Sequence, residues 1–305
     1  ILIGLVGSEM CIRDRAIRTQ QPPAVAAPPS QSDPMRIASW NVNSAKARQD
    51  HILNYLRAGS CDVLLIQETK TQDVNFPVKA YQELGWHVAF HGQKSYNGVA
   101  IAARMPMEDV TSGLPSDEAD EQARYMEATV GGVRVATIYL PNGNPAPGPK
   151  FDYKLSWMKR LRARAGEMLA SEMPVVLGGD FNVIPQDIDC YDPPGWEGDA
   201  LTRPESRAAF YSLCHDGYTD ALRACHPAEV LYSYWDYQAG AWQKDNGVRI
   251  DHLLLSPEAA DRITGAGVDK GPRGEEKPSD HTPVWVELAD PCLLYTSPSP
   301  RDQSG

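Results

Sequence analysis

Short apolar runs recur along this chain, and they repeatedly end in carboxylates, amides or a phenol. Strand-like runs cover 36–42, 63–67, 98–103, 125–130, 133–140, 175–179, 250–255 and 284–288, with longer helix-prone or loop segments between them. This alternation predicts an α/β chain. Between the fifth and sixth runs, Phe151, Leu155, Met158, Leu161, Ala165, Met168 and Leu169 stand three and four residues apart. That is the spacing of an amphipathic helix, which Pro174 stops. A shorter helix is expected from Arg48 to Arg57, where Ile52, Leu53 and Leu56 share a face. Gly and Pro mark the longer loops at 141–149 and 189–198, and no short repeat recurs.

The ends read differently from the body. With a suitable choice of codons for 292–302, the complementary strand encodes Leu-Val-Gly-Ser-Glu-Met-Cys-Ile-Arg-Asp in a shifted frame, which is residues 5–14. The two termini therefore read as opposite strands of one DNA segment resembling a sequencing adapter. Segments 1–34 and 291–305 are expected to be artefactual or disordered, leaving one domain over 35–290. The apolar stretch Ile1 to Gly7 is far shorter than the roughly 20 residues needed to span a bilayer, so no membrane attachment is expected. Within the body, Cys61, Cys190, Cys214 and Cys225 show neither zinc-site nor disulfide spacing, which suits a reducing, cytoplasmic setting.

The polar strand ends carry the chemistry. One run closes on Asn41 and Asn43, the next on Glu68 and Lys70, another on Tyr139 and Asn142, and another on Asp180 and Asn182. Asp251 opens a later run, and Ser279, Asp280 and His281 precede the last. A lone Asp or Asn after a strand is ordinarily a turn former. So many together point to a site, because α/β sheets present ligands at strand ends. Hard oxygen donors without clustered Cys or His favour magnesium or manganese. His87, His91, His215 and His226 lack zinc-protease spacing, and no Gly-x-Ser-x-Gly elbow is present.

In order, Trp-Asn-Val-Asn at 40–43, Gln-Glu-Thr-Lys at 67–70, Tyr-Leu-Pro-Asn-Gly at 139–143, Gly-Asp-Phe-Asn at 179–182, Arg-Ile-Asp at 249–251 and Ser-Asp-His-Thr-Pro at 279–283 resemble the signature set of the exonuclease III family. This family belongs to the endonuclease/exonuclease/phosphatase superfamily. The resemblance spans Met35 to about Leu288 and implies a four-layered α/β sandwich, with two facing, mainly antiparallel sheets flanked by helices. It also implies a metal-dependent DNA phosphodiesterase of base excision repair, a monomer near the nucleoid, which incises 5′ of abasic sites and trims 3′ ends of duplex DNA.

By the same resemblance, Glu68 holds the metal, with Asp280, Asn41 and Asn43 near it. Asp180 activates water and Asn182 orients it. His281, paired with Asp251, sits over the phosphate, which Tyr139 and Asn142 bind. Tyr234, Val248 and Ile250 line a pocket for the baseless sugar, with Trp235 packed beneath. The net charge of −11 is awkward for a DNA binder. Lys150, Lys154, Lys159, Arg160, Arg162 and Arg164 on one helix offer a local footprint, with Lys150 expected to touch DNA. The acidic balance leaves an alternative, a superfamily phosphoesterase acting on a lipid or a small phosphorylated substrate.

Overall fold

A computed structural model describes residues 34–117 and 119–290; the readings made above for 1–33 and 291–305 lie outside the described residues. Two six-stranded sheets organise them. The first runs, in spatial order, β11 (Ile263–Val268), β12 (Val284–Leu288), β1 (Met35–Asn41), β2 (Val63–Gln67), β4 (Val99–Ala103) and β3 (His87–His91). The second runs β5 (Met107–Ser112), β6 (Tyr125–Val130), β7 (Val133–Tyr139), β8 (Val175–Asp180), β10 (Asp251–Leu255) and β9 (Thr219–Asp220).

Each sheet contains one parallel pair, β1 with β2 and β7 with β8; every other pairing is antiparallel. A parallel pair requires a crossover. The chain makes these through α1 (Gln49–Arg57) and α3 (Pro149–Leu169), the two helices whose apolar spacing is legible in the sequence. Further helices are α2 (Val78–Gln82), α4 (Pro204–Asp216), α5 (Ala221–Cys225) and α6 (Pro257–Ala260).

Strand alternation sorts the side chains into layers. Ile37, Leu65 and Ile101 of the first sheet pack with Val135, Val176 and Leu253 of the second, forming the central core. On the other face of the first sheet, Trp40 and Ile66 pack with Ile52 and Leu56 of α1 and Tyr81 of α2. Behind the second sheet, Ile138 and Leu177 pack with Trp157 and Leu161 of α3 and Phe210 of α4. Each fully buried large apolar side chain contributes about 1.5–3 kcal/mol. The result is the expected four-layered α/β sandwich.

The strands missed in the sequence are β3, β5, β9 and β11, the four edges of the two sheets. An edge strand needs one partner and little burial. β5 is almost wholly exposed and β3 only half-buried, so neither shows an apolar run.

A charged cluster anchors the entry to β10. Arg249 is fully buried, with Nε 2.7 Å from Asp189 and Nη1 2.8 Å from Asp220. His252 lies beside it: Nε2 is 2.9 Å from the Val183 carbonyl, so that nitrogen donates and Nδ1 accepts from Arg249 Nη1 at 3.0 Å. Burial, then the neighbouring guanidinium, push the His252 pKa down to about 4. Among the described residues no helix is long and apolar enough to cross a membrane.

Two outcomes follow. Arg249→Met should cost about 3–5 kcal/mol, the loss typical of breaking a buried ion pair from one side. Urea unfolding checks this, and a loss below about 1 kcal/mol would contradict it. Because the folded pKa of His252 lies below its unfolded value, the unfolded chain takes up a proton the folded chain refuses, so stability drains as pH falls from about 6.5 to about 4. His252→Gln should flatten that part of the profile; an unchanged slope would remove His252 as its source.

Candidate active site

All the polar strand ends arrive at one edge of the sandwich because of register and direction. Asn41 stands opposite Gln67 in the parallel β1–β2 pair, and Tyr139 stands opposite Asp180 in the parallel β7–β8 pair. Antiparallel β10 begins at that edge, with Asp251 opposite Asp180. His281 lies just before β12, which also begins there. The sheets approach closely behind the site at Gly178, where a Cβ would fall 2.6 Å from Leu65 Cδ1 and 2.8 Å from Leu253 Cδ2.

Asn41, fully buried, joins the two sheets. Its Nδ2 donates to Glu68 Oε1 at 2.8 Å and to Asp180 Oδ2 at 3.0 Å, while its Oδ1 accepts from the Asn43 backbone. Glu68 Oε2 lies 2.7 Å from Lys70 Nζ, which also donates to Asn43 Oδ1. Asn43 Nδ2 donates in turn to Asp280 Oδ1 at 3.0 Å. Burial alone would raise the Glu68 pKa, but the bonds from Asn41 and Lys70 outweigh it and hold the carboxyl below its usual range.

On the second sheet, His281 Nδ1 is 2.8 Å from Asp251 Oδ2, which Ser233 Oγ also contacts at 2.6 Å. His281 Nε2 lies 3.8 Å from Asp180 Oδ2. Burial opposes the imidazolium most strongly, yet the carboxylates of Asp251 and Asp180 prevail and its pKa is raised. Burial likewise raises the Asp180 pKa, with Asp251 and Glu68 adding to the rise against the pull of His281. The outcome is a carboxyl group and an imidazole, both buried and each with a raised pKa, 3.8 Å apart.

Asn182 donates its backbone N–H to Asp180 Oδ1 at 2.9 Å and its Nδ2 to the Leu140 carbonyl, and its Oδ1 accepts from Asn142 Nδ2 at 3.0 Å. Asn142 is exposed. The Arg124 guanidinium lies 4.8 Å from the centre of the Tyr139 ring. Asn43, Glu68, Lys70 and Asn182 all have left-handed backbones, with φ between 46° and 53°. Such strain costs on the order of 1–3 kcal/mol per residue outside glycine, is tolerated most readily by Asn, and clusters where function requires it. No residue pattern announces it.

Next to this set is a depression of about 190 Å³ lined by Tyr191, Trp196, Tyr234 and Val248. Tyr234 connects the two, its ring edge-on to His281 with centroids 4.9 Å apart. Ile250 does not line the depression. It packs underneath with Phe151, Ile184 and Leu201. Trp235 is fully buried against Tyr232 and Trp242. Tyr191 and Trp196 come from a loop with no apolar period, so only the fold brings them here.

The basic helix differs from the sequence expectation. Arg160 pairs with Asp120, Arg162 with Asp216, and Arg164 with Glu127 and Glu167. Lys154 is completely buried, which leaves Lys150 and Lys159 exposed. No three His, Cys, Asp or Glu side chains form a ready-made metal cage among the described residues. The Lys70 ammonium nevertheless shows that Glu68 and Asn43, from different loops, direct oxygens at one positive charge.

The model of the Endonuclease/Exonuclease/phosphatase family matches residues 38–281. Exodeoxyribonuclease III of Haemophilus influenzae is 32% identical over 266 residues, which is 83% of this chain and 100% of that protein. Among solved structures, the 3′-5′ exonuclease NExo of Neisseria meningitidis is 41% identical with a TM-score of 0.82, covering 84% of this chain and 100% of its own. An AP endonuclease from Archaeoglobus fulgidus is 35% identical with a TM-score of 0.81, covering 83% and 99% respectively. A shared fold, a shared order of motifs and near-complete coverage of these relatives lead to one conclusion: the chain belongs to the endonuclease/exonuclease/phosphatase family, within its exodeoxyribonuclease III group of nucleases.

Proposed function

We propose that this protein hydrolyses phosphodiester bonds in duplex DNA, incising 5′ to abasic sites and removing nucleotides from 3′ ends. The observation that carries this reading is Asp180, buried and lying between Asn182 and a histidine held by Asp251, at the edge that also carries Glu68. Water attacks phosphorus, its proton passes to Asp180, and the bond to the 3′-oxygen breaks. His281, cationic and with Nε2 facing the site, stabilises charge on the phosphate oxygens, and Asn142 donates to them. Tyr139 supplies a further donor at the phosphate.

The family is dependent on a divalent metal. Glu68 and Asp280, with Asn41 and Asn43, form the hard-oxygen set that would hold magnesium, or manganese in its place; magnesium keeps several waters and needs few protein ligands. When bound, the ion supplies neutralisation of phosphate charge and stabilisation of the leaving oxygen.

Recognition rests on two neighbouring features. The depression walled by Tyr234, Val248, Trp196 and Tyr191, with Asp236, Gln238 and Asn246 also on its lining, would accept a small group such as a sugar without its base. A cleft of about 450 Å³ carries Lys46 and Lys94, together with Lys70, whose ammonium pairs with Glu68. It offers a DNA backbone the local positive field that the net charge conceals. The same reading has the protein act as a monomer. Among the described residues the free thiols Cys61, Cys190, Cys214 and Cys225 suit a reducing, cytoplasmic compartment, and action on DNA would place the protein near the nucleoid.

The test is a labelled abasic duplex, a recessed intact duplex and a soluble phosphoinositide, each with magnesium and with chelator. Cleavage 5′ to the abasic site and 3′ trimming are expected with magnesium and abolished by chelator. Phosphoinositide hydrolysis without DNA cleavage would overturn the substrate. Asp180→Asn and His281→Ala should each lose about 10²–10⁴-fold in rate while still binding DNA; near-normal turnover in either would refute its role.

A further inference from the structure

Lys154 is the least expected feature of the molecule. It sits within a run of basic residues on an amphipathic helix, yet it is fully buried. Its Nζ donates to three backbone carbonyls from three separate loops: Asn142 at 3.1 Å, Asn182 at 2.7 Å and Ala200 at 3.1 Å. An ammonium has three protons and no acceptor, so this geometry uses all of them. Burying such a charge is costly, and burial pushes its pKa down to about 7 against the opposing pull of Asp199 and Asp180. A helix that needed only to pack would carry Leu or Met there.

The three carbonyls are not arbitrary. Asn142 and Asn182 are the two amides that bond each other at the reacting edge, and the Asn182 backbone also donates to Asp180. The Ala200 loop is tied to the same region, because Asn144 Nδ2 donates to Asp199 and the Ala200 N–H donates to Asn144 Oδ1. The path of the lysine stem is also reserved: at Gly143, φ +93°, a Cβ would lie 2.7 Å from Lys154 Cδ.

We propose that Lys154 is a positioning residue for hydrolysis, its ammonium drawing the Asn142, Asn182 and Ala200 loops together so that the two amides meet the water and the phosphate in register. It touches neither substrate nor metal and acts through Asn142 and Asn182. The inference rests on the nuclease reading above.

The experiment measures kcat and KM on the abasic duplex for wild type, Lys154→Met, Asn182→Ala and the double variant, with thermal unfolding of each. Lys154→Met should fold and lose about 100-fold in kcat, the scale of a misplacement of about 1 Å, with KM held within about threefold. The double variant should lose little more than Asn182→Ala alone, as residues acting along one path do. A folded Lys154→Met with wild-type kcat, a loss confined to KM, or losses that multiply in the double variant would each overturn the proposal. If Lys154→Met yields no folded protein, Lys154→Arg decides by the same numbers. Its planar fork keeps the charge but cannot place three donors at one point, so kcat should fall about tenfold with KM unmoved, and wild-type kcat would overturn the clamp. Failure of the nuclease reading shows instead as an inactive wild type.

Discussion

One amide nitrogen holds the site together. Asn41 Nδ2 bonds Glu68 from the first sheet and Asp180 from the second, where both would otherwise be pushed apart by like charge. The bond is possible because β1 and β8 end at the same edge and Gly178 lets the sheets close behind them. Asn suits this point better than a cation. It donates without neutralising, so the carboxylates keep the negative charge that the proposed mechanism requires of them.

Environment divides these carboxylates into different tasks. Glu68 has two donors and stays ionised, which suits a metal ligand. Asp180 is more deeply enclosed and faces Asp251 and Glu68, so its proton affinity rises. Asp251 faces His281 and Ser233 and keeps the imidazole oriented. In the proposed mechanism these three similar side chains serve as ligand, base and orienting group, divided by burial and hydrogen bonding.

Central strands were legible in the sequence because they are buried on both faces and read as apolar runs; the edges were not, since exposure removes the pattern. The polar strand ends were legible because several chemistry-bearing residues followed apolar runs. What stayed hidden depends on contacts across the fold. Lys154 looks like its charged neighbours on α3, and only the loops above it show that it points inward. Ile250 lies two residues from Val248, and strand alternation alone cannot say whether it meets a ligand or the core. The left-handed backbones of Glu68 and Lys70 carry no composition signal, because neither residue favours that conformation.

The acidic balance of the chain is a sum, whereas a nucleic acid responds to the local field. Arg160, Arg162 and Arg164 look available in the sequence, but acids from distant segments neutralise them in ion pairs. Lys46 and Lys94 are far apart in the sequence and look unremarkable, yet they converge on one cleft, beside Lys70, which Glu68 pairs. At about 0.15 M salt the screening length is about 8 Å, so a phosphate in that cleft feels these lysines far more than carboxylates across the molecule. Folding therefore reverses the charge expectation twice, by cancelling the cluster that is contiguous in sequence and by assembling another that is not.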